Sequence, residues 1–280
     1  MKRVLVVAAM AIALMAPVAS AGIYYEFQQS THSDDEHRPS STFSGKAVID
    51  GNRSRVEFLS GNAYPPGTYV IGQGTRLYTV VDPSTRTFAD VNLAAAASSL
   101  GAAKVKVENL KWDVKKLPDH PVYAGVPTDH YQMTINYDMT VLMGALPVRQ
   151  SIQTVIDKWT TVQFGDVGET FLALGGLRTG NPEIDKLIDI ETQNIKGFAL
   201  RQSIVVTASV PLARSASEKT EYPMNLRPVR VKKRDLVITS IREIQPDEST
   251  FAVPASYTRA QQRSNVPQTQ VEILSLEPAN

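Results

Sequence analysis

The densest group of possible metal ligands in this sequence is "HSDDEH", His32 to His37. His32, Asp34, Asp35 and His37 offer nitrogen and oxygen donors of the kind that borderline or hard divalent ions accept. The group lies in a Ser- and Pro-rich stretch with no frame to fix its geometry, so it reads as a solvated loop and no metal is assigned. His120 and His130 flank "PVYAGVPTD", where a catalytic histidine would need a nucleophile and an orienting acid beside it. Asp119 and Asp129 read instead as turn residues, and no G-x-S-x-G elbow occurs among the many serines. The glycines of "GQG" and "GGLRTG" match neither a phosphate-binding loop nor a dinucleotide fingerprint. No catalytic residue and no cofactor is assigned, and the chain reads as non-enzymatic.

One further group has a chemistry of its own. "RPVRVKKR", Arg227 to Arg234, concentrates five positive charges. It reads as a charged strand face or protected sheet edge. Its other reading is contact with an anionic surface, either lipid headgroups or an acidic envelope protein, through Arg230, Lys232 and Arg234.

These groups need elements to hold them, and period-two patterning supplies most of those elements. "HYQMTINYDMTV" (130–141) places Tyr131, Met133, Ile135, Tyr137, Met139 and Val141 on one face and only polar residues on the other. With "PVRQSIQTVIDKWTTV" (147–162) it predicts the longest hairpin of the chain. Before it, "GIYYEFQQST", "FSGKAVID", "RSRVEFLS", "TYVIGQ", "RLYTVV" and "TRTFADV" read as an antiparallel meander. Gly51–Asn52, Pro65–Pro66–Gly67 and Asp82–Pro83–Ser84 are its turns, with Asp82 placed to bond nearby backbone N–H groups. "KVKVENLKWDV" is a strand whose apolar phase slips by one residue near Asn109, as at a β-bulge. "FALRQSIVVTASV" and "RPVRVKKRDLVITSIREI" are later strands.

Two helices are predicted. One lies near 91–101, favoured by its alanines and ended by Gly101. The other spans 182–196, with Asn181 as N-cap, Pro182 at its first position, Glu183 and Asp185 in the first turn and Gly197 as its stop. Ile184, Leu187, Ile188 and Ile195 share a face of it.

The start of the chain reads as an export address. Lys2 and Arg3 precede the apolar "VLVVAAMAIALM", and Ala19 and Ala21 form an A-x-A pattern, so cleavage is expected after residue 21. Without Lys2 and Arg3, the 29 basic residues become 27 against 28 acidic ones, a balance that gives no general attraction to nucleic acid. There is no cysteine, which excludes disulfides, thiolate metal sites and thiol catalysis. The expected organisation is a signal peptide (1–21), one domain (22–259) and a flexible tail (260–280). The expected location is periplasmic or secreted, with no membrane-spanning segment after signal removal.

"SGKAVIDGNRSRVEF" followed by "GTYVIGQGTRLYTVVDPSTRTFADV" resembles the N-terminal meander of LolA-like proteins, especially a bacterial exported domain family of unknown function. "IKGFALR" and the "F-x-V-P-x-x-Y" of Phe251, Val253, Pro254 and Tyr257 resemble the closing part of that family. The resemblance implies a mainly β, α+β fold: a strongly curved antiparallel half-barrel with helices on its concave side. Relatives of this kind carry lipoprotein acyl chains across the periplasm or sense envelope state. The chain lacks a recognisable pattern of the dedicated carrier, and its 30–40 loop and long tail are additions.

Six large apolar side chains on one strand are worth on the order of 10 kcal/mol if buried, so something covers them. Helix 182–196 can do so as an ordinary core, with Trp112 and Trp159 completing it. Alternatively, Tyr131, Met133, Ile135, Tyr137, Met139, Trp159, Leu187 and Ile188 line a hollow for a lipid or lipoprotein acyl chain. The leading expectation is hydrophobic-ligand binding, and its alternative is an envelope interaction or sensing protein whose core its own helix fills.

Overall fold

The computed structural model describes residues 22–34, 40–62, 64–74, 77–92, 105–143, 146–164, 182–210 and 227–260. The N-terminal meander comprises β1 (Gly22–Ser33), β2 (Ser41–Asp50), β3 (Arg53–Gly61), β4 (Tyr69–Gln73), β5 (Leu77–Asp82) and β6 (Thr87–Asn92). After it come β7 (Val105–Leu117), a small hairpin of β8 (Val122–Tyr123) and β9 (Val126–Pro127), then β10 (Asp129–Met143) and β11 (Leu146–Thr161). Helix α1 (Pro182–Asn194) precedes β12 (Phe198–Val210), β13 (Arg227–Ile244) and the short β14 (Thr258–Arg259). Twelve of these strands form one open sheet in the order β14-β6-β5-β4-β3-β2-β1-β13-β12-β11-β10-β7. All its pairings are antiparallel except the parallel β14–β6 edge. Residues 1–21, expected as a signal peptide, residues 93–101 of the expected first helix and residues 261–280 of the expected tail lie outside the described residues. Val91 and Asn92, expected within that helix, instead end strand β6.

Local chemistry accounts for the turns and irregularities. Gly51, at φ 57°, closes the two-residue reversal between Asp50 and Arg53. Asp82 accepts from the Ser84 backbone N–H at 2.9 Å and from the Ser84 hydroxyl at 2.6 Å, the Asx geometry its position predicts. The pairing of β7 with β10 shifts register between Asn136 and Asp138, and Asn109 opposite that shift has φ 55°. This is the bulge foreseen from the phase slip. The Asn109 amide then donates to Asp138 at 2.7 Å, fixing the bulge across the strands.

One face of the sheet carries two apolar clusters. In the meander half, Tyr25, Phe27, Phe43, Phe58 and Tyr64 form a run of ring contacts with centroids 4.1–6.1 Å apart. In the other half, Met133, Ile135, Tyr137 and Met139 of β10 join Ile152 and Ile156 of β11 beneath Ile190 and Ile195. The opposite face is covered at β4–β6, where Phe251, Val253 and Tyr257 pack on Tyr69, Ile71 and Val81. Strand β4 is therefore buried on both faces, which explains its unbroken apolar run.

Candidate functional site: the helix-covered face

Register assigns each residue to a face. One rung runs across six strands as Thr31, Arg234, Ile204, Ile156, Met133 and Val114. The next reads Ser33, Lys232, Val206, Thr154, Ile135 and Trp112. The rung on the other side reads Gln29, Leu236, Gln202, Lys158, Tyr131 and Lys116. Tyr131, Met133, Ile135, Tyr137 and Met139 thus share one face, with Met133 fully buried and Tyr131 half-buried. Burial pushes the Tyr137 hydroxyl up to about 12.

Helix α1 lies on this face. Ile190 and the following Ile195 are buried in the cluster and Leu187 packs against it. Ile188 is half-buried and outside the cluster, so the covering stripe runs through 187, 190, 191 and 195. That stripe carries Glu191, which accepts from Lys158 Nζ at 3.1 Å and from Gln202 Nε2 at 3.2 Å. Lys158 is only 3% exposed and Gln202 is buried. Gly197 ends the helical segment at φ 92°, where a Cβ would stand 2.7 Å from the Thr161 carbonyl oxygen.

Two placements differ from the sequence-based expectation. Trp159 pairs with His130, on the face opposite Met133. There it stacks on the His130 ring at 4.2 Å, meets Tyr123 edge-on and lies 4.8 Å beneath the Arg201 guanidinium. It cannot line the same hollow as Met133, because alternate residues of a strand point to opposite faces. Trp112 does share the Met133 side but is 49% exposed on edge strand β7. The basic strand is the second difference. The register positions of Lys232 and Arg234 stand opposite Val206 and Ile204, so these two belong to the helix-covered side, while the Arg230 side chain lies outside the described residues. Desolvation holds the Arg234 guanidinium below its usual range, with the Glu191 carboxylate acting against that shift.

The polar face of the hairpin is a bonded network. His130 Nδ1 lies 2.8 Å from Asp119 Oδ1, and its Nε2 lies 3.2 Å from Asp157 Oδ1, which also accepts from Gln132 at 3.0 Å. Asp119 is therefore a histidine partner and not only a turn residue, and its carboxyl is held low by the His130 bond. Asp129 pairs with Lys116 at 2.8 Å and with His120 at 3.2 Å. His32 belongs to strand β1, 3.4 Å from Asp34 and 2.9 Å from the Ser40 hydroxyl. Residues 35–37 of that cluster lie outside the described residues, and among the described residues no three acidic or histidine side chains converge as a metal site.

Glu191 and Lys158 form an ion pair on this face that the sequence analysis does not single out. A signal for them existed: Lys158 has the parity of Ile152 and Ile156, and Glu191 falls four residues after Leu187 on the covering stripe.

No protein-family model and no curated protein matches this chain. Among solved structures, an uncharacterized conserved protein from Thermus thermophilus is 7% identical with a TM-score of 0.30, covering 85% of this chain and 91% of that one. A LolA superfamily protein from Nitrosomonas europaea is 10% identical with a TM-score of 0.30, covering 83% and 90%. A structure described as lipid–protein interactions in lipovitellin is 10% identical with a TM-score of 0.28, covering 82% of this chain but 26% of that one. At TM-scores of 0.28–0.30 these likenesses carry no argument about this chain. Among the described residues no helix is long and apolar enough to cross a membrane.

Proposed function

We propose that the chain is an exported, non-enzymatic protein of the bacterial envelope that binds a hydrophobic ligand, a lipid or lipoprotein acyl chain, on the helix-covered face. A sheet of more than about ten strands tends to curl, and in this reading the helix-covered face is the concave side of a half-barrel. The observation that carries the reading is a mismatch of size. Helix α1 has 13 residues, about 20 Å of length and about 10 Å of width. The apolar face it lies on extends over β7, β10, β11 and β12, about 19 Å across at ~4.8 Å per strand, with strands of roughly 40–50 Å. Around the helix contact, Val105, Val107, Leu110, Val114, Tyr131 and Ile204 are only partly buried. Met133 and Met139 suit a lining that reshapes, because unbranched thioether side chains adapt to irregular surfaces. An acyl chain laid there would gain ~0.8 kcal/mol per buried CH₂.

The second reading, an envelope interaction protein with a self-filled core, is favoured by one observation: Ile190 and Ile195 already bury Met133 and Met139. Native mass spectrometry of protein extracted from its host without detergent separates the two. Co-purified lipid masses that vanish on delipidation and return on incubation with fatty acid support the carrier. Protein that never carries lipid and never takes up a fluorescent fatty acid supports the self-filled core.

A further inference from the structure

The helix-covered face is not uniformly apolar, and its charges are unevenly matched. Lys158 from β11 and Arg234 from β13 approach it from two strands, while the carboxylate that acts on both is Glu191. That carboxylate is engaged by Lys158 at 3.1 Å and by Gln202 at 3.2 Å. Among the described residues Arg234 makes no salt bridge of its own. Helix α1 also bears Glu183, Asp185 and Asp189, each with bonding of its own, and none of these acts on Arg234 as Glu191 does. Arg234 is half-buried and stands on a rung whose next three members towards β10, Ile204, Ile156 and Met133, are apolar.

A guanidinium removed from bulk water has a planar fork of donors suited to a carboxylate or phosphate, and desolvation strengthens that pairing. Resting on the hydrophobic-ligand reading, we propose that Arg234, supported by Lys158 and Glu191, binds the anionic headgroup of the ligand. The ligand is then an acidic amphiphile, a carboxylate or a phosphate monoester, whose chain leaves Arg234 over the partly buried Ile204 and Val206 of β12. The glutamate keeps the site from carrying two unopposed cations when it is empty, and the lysine fixes the glutamate.

The test is calorimetric titration of the purified, delipidated full chain with palmitate, hexadecyl phosphate, methyl palmitate and inorganic phosphate. Palmitate and hexadecyl phosphate should bind at least about tenfold more tightly than methyl palmitate, the scale of one charge-assisted contact. R234Q should remove that advantage and leave methyl palmitate unchanged, with R234K intermediate because a lysine supplies charge without the fork. If R234Q does not fold, R234M, which fills the same space without a charge, takes its place. Methyl palmitate binding as tightly as palmitate, or an equal loss of all ligands in the variant, overturns the headgroup site while the hydrophobic-ligand reading stands. Inorganic phosphate bound as tightly as hexadecyl phosphate shows a free-anion site and overturns the amphiphile. Failure of all three amphiphiles overturns both readings together.

Discussion

Replacing Glu191 by Gln removes the carboxylate shared by Lys158, Gln202 and Arg234 while keeping its shape. At 3.1 Å, the Lys158–Glu191 attraction is about 5 kcal/mol with an effective dielectric of 20. The glutamate side chain is 24% exposed and the lysine side chain 4%, so solvent weakens the interaction from one side only. Removing one partner of a buried pair leaves an uncompensated charge and costs about 3–5 kcal/mol. The exposure of Glu191 puts E191Q at the lower end, about 3 kcal/mol. K158M should cost less, about 1–2 kcal/mol, because Glu191 keeps its bond from Gln202 and the field of Arg234, and a methionine fills the vacated space. The double variant should cost less than the sum of the two, since each change removes the partner that the other strands. Urea unfolding followed by far-ultraviolet circular dichroism gives all three values, provided the m-value is unchanged. A loss below 1 kcal/mol for E191Q, or a larger loss for K158M than for E191Q, would refute the charge arrangement.

Three further expectations follow from single positions. G197A places a Cβ 2.7 Å from the Thr161 carbonyl oxygen at φ 92° and should cost about 2–3 kcal/mol, read as a lowered urea midpoint; no change would mean that the helix end can shift. M133A empties a fully buried position and should cost about 2–5 kcal/mol. A loss under 1 kcal/mol would show that the neighbouring side chains close the gap. Asp138 is held down to about 2 by bonds from Ser151, Asn109 and Arg149. Its folded value lies below its unfolded value, so its contribution is complete above about pH 4 and is lost as pH falls towards 2. D138N should therefore flatten the acid limb of stability between pH 4 and 2, measured by thermal melts, and an unchanged limb would remove Asp138 as its source.

Most of the strand set was legible in the sequence because its signals are local. Alternation fixes the face shared by Tyr131, Met133, Ile135, Tyr137 and Met139, and the phase slip at Asn109 locates the bulge. The Asp82 turn and the first residue of α1 needed only neighbours in sequence. What fails locally is the face on which a strand without clear alternation presents its side chains. Strand β13 begins with charges and continues through Leu236 and Ile238, so its basic half reads as an outward surface when taken alone. Pairing with β12 places it otherwise, because Arg234 must follow Ile204 to the covered side. Trp159 was misassigned for a related reason: its bulk suggests a core, but parity with His130 puts it on the other face, where imidazole, phenol and guanidinium enclose it.

By itself the sequence determined the strands, their turns, the helix and the apolar stripe, since each depends on residue spacing along the chain. Only the tertiary structure decided that Lys158 and Glu191 meet and that Arg234 comes within the electrostatic reach of Glu191. They are separated by 33 and 43 residues, and the cost of burying a charge is decided by which opposite charge the fold brings within reach.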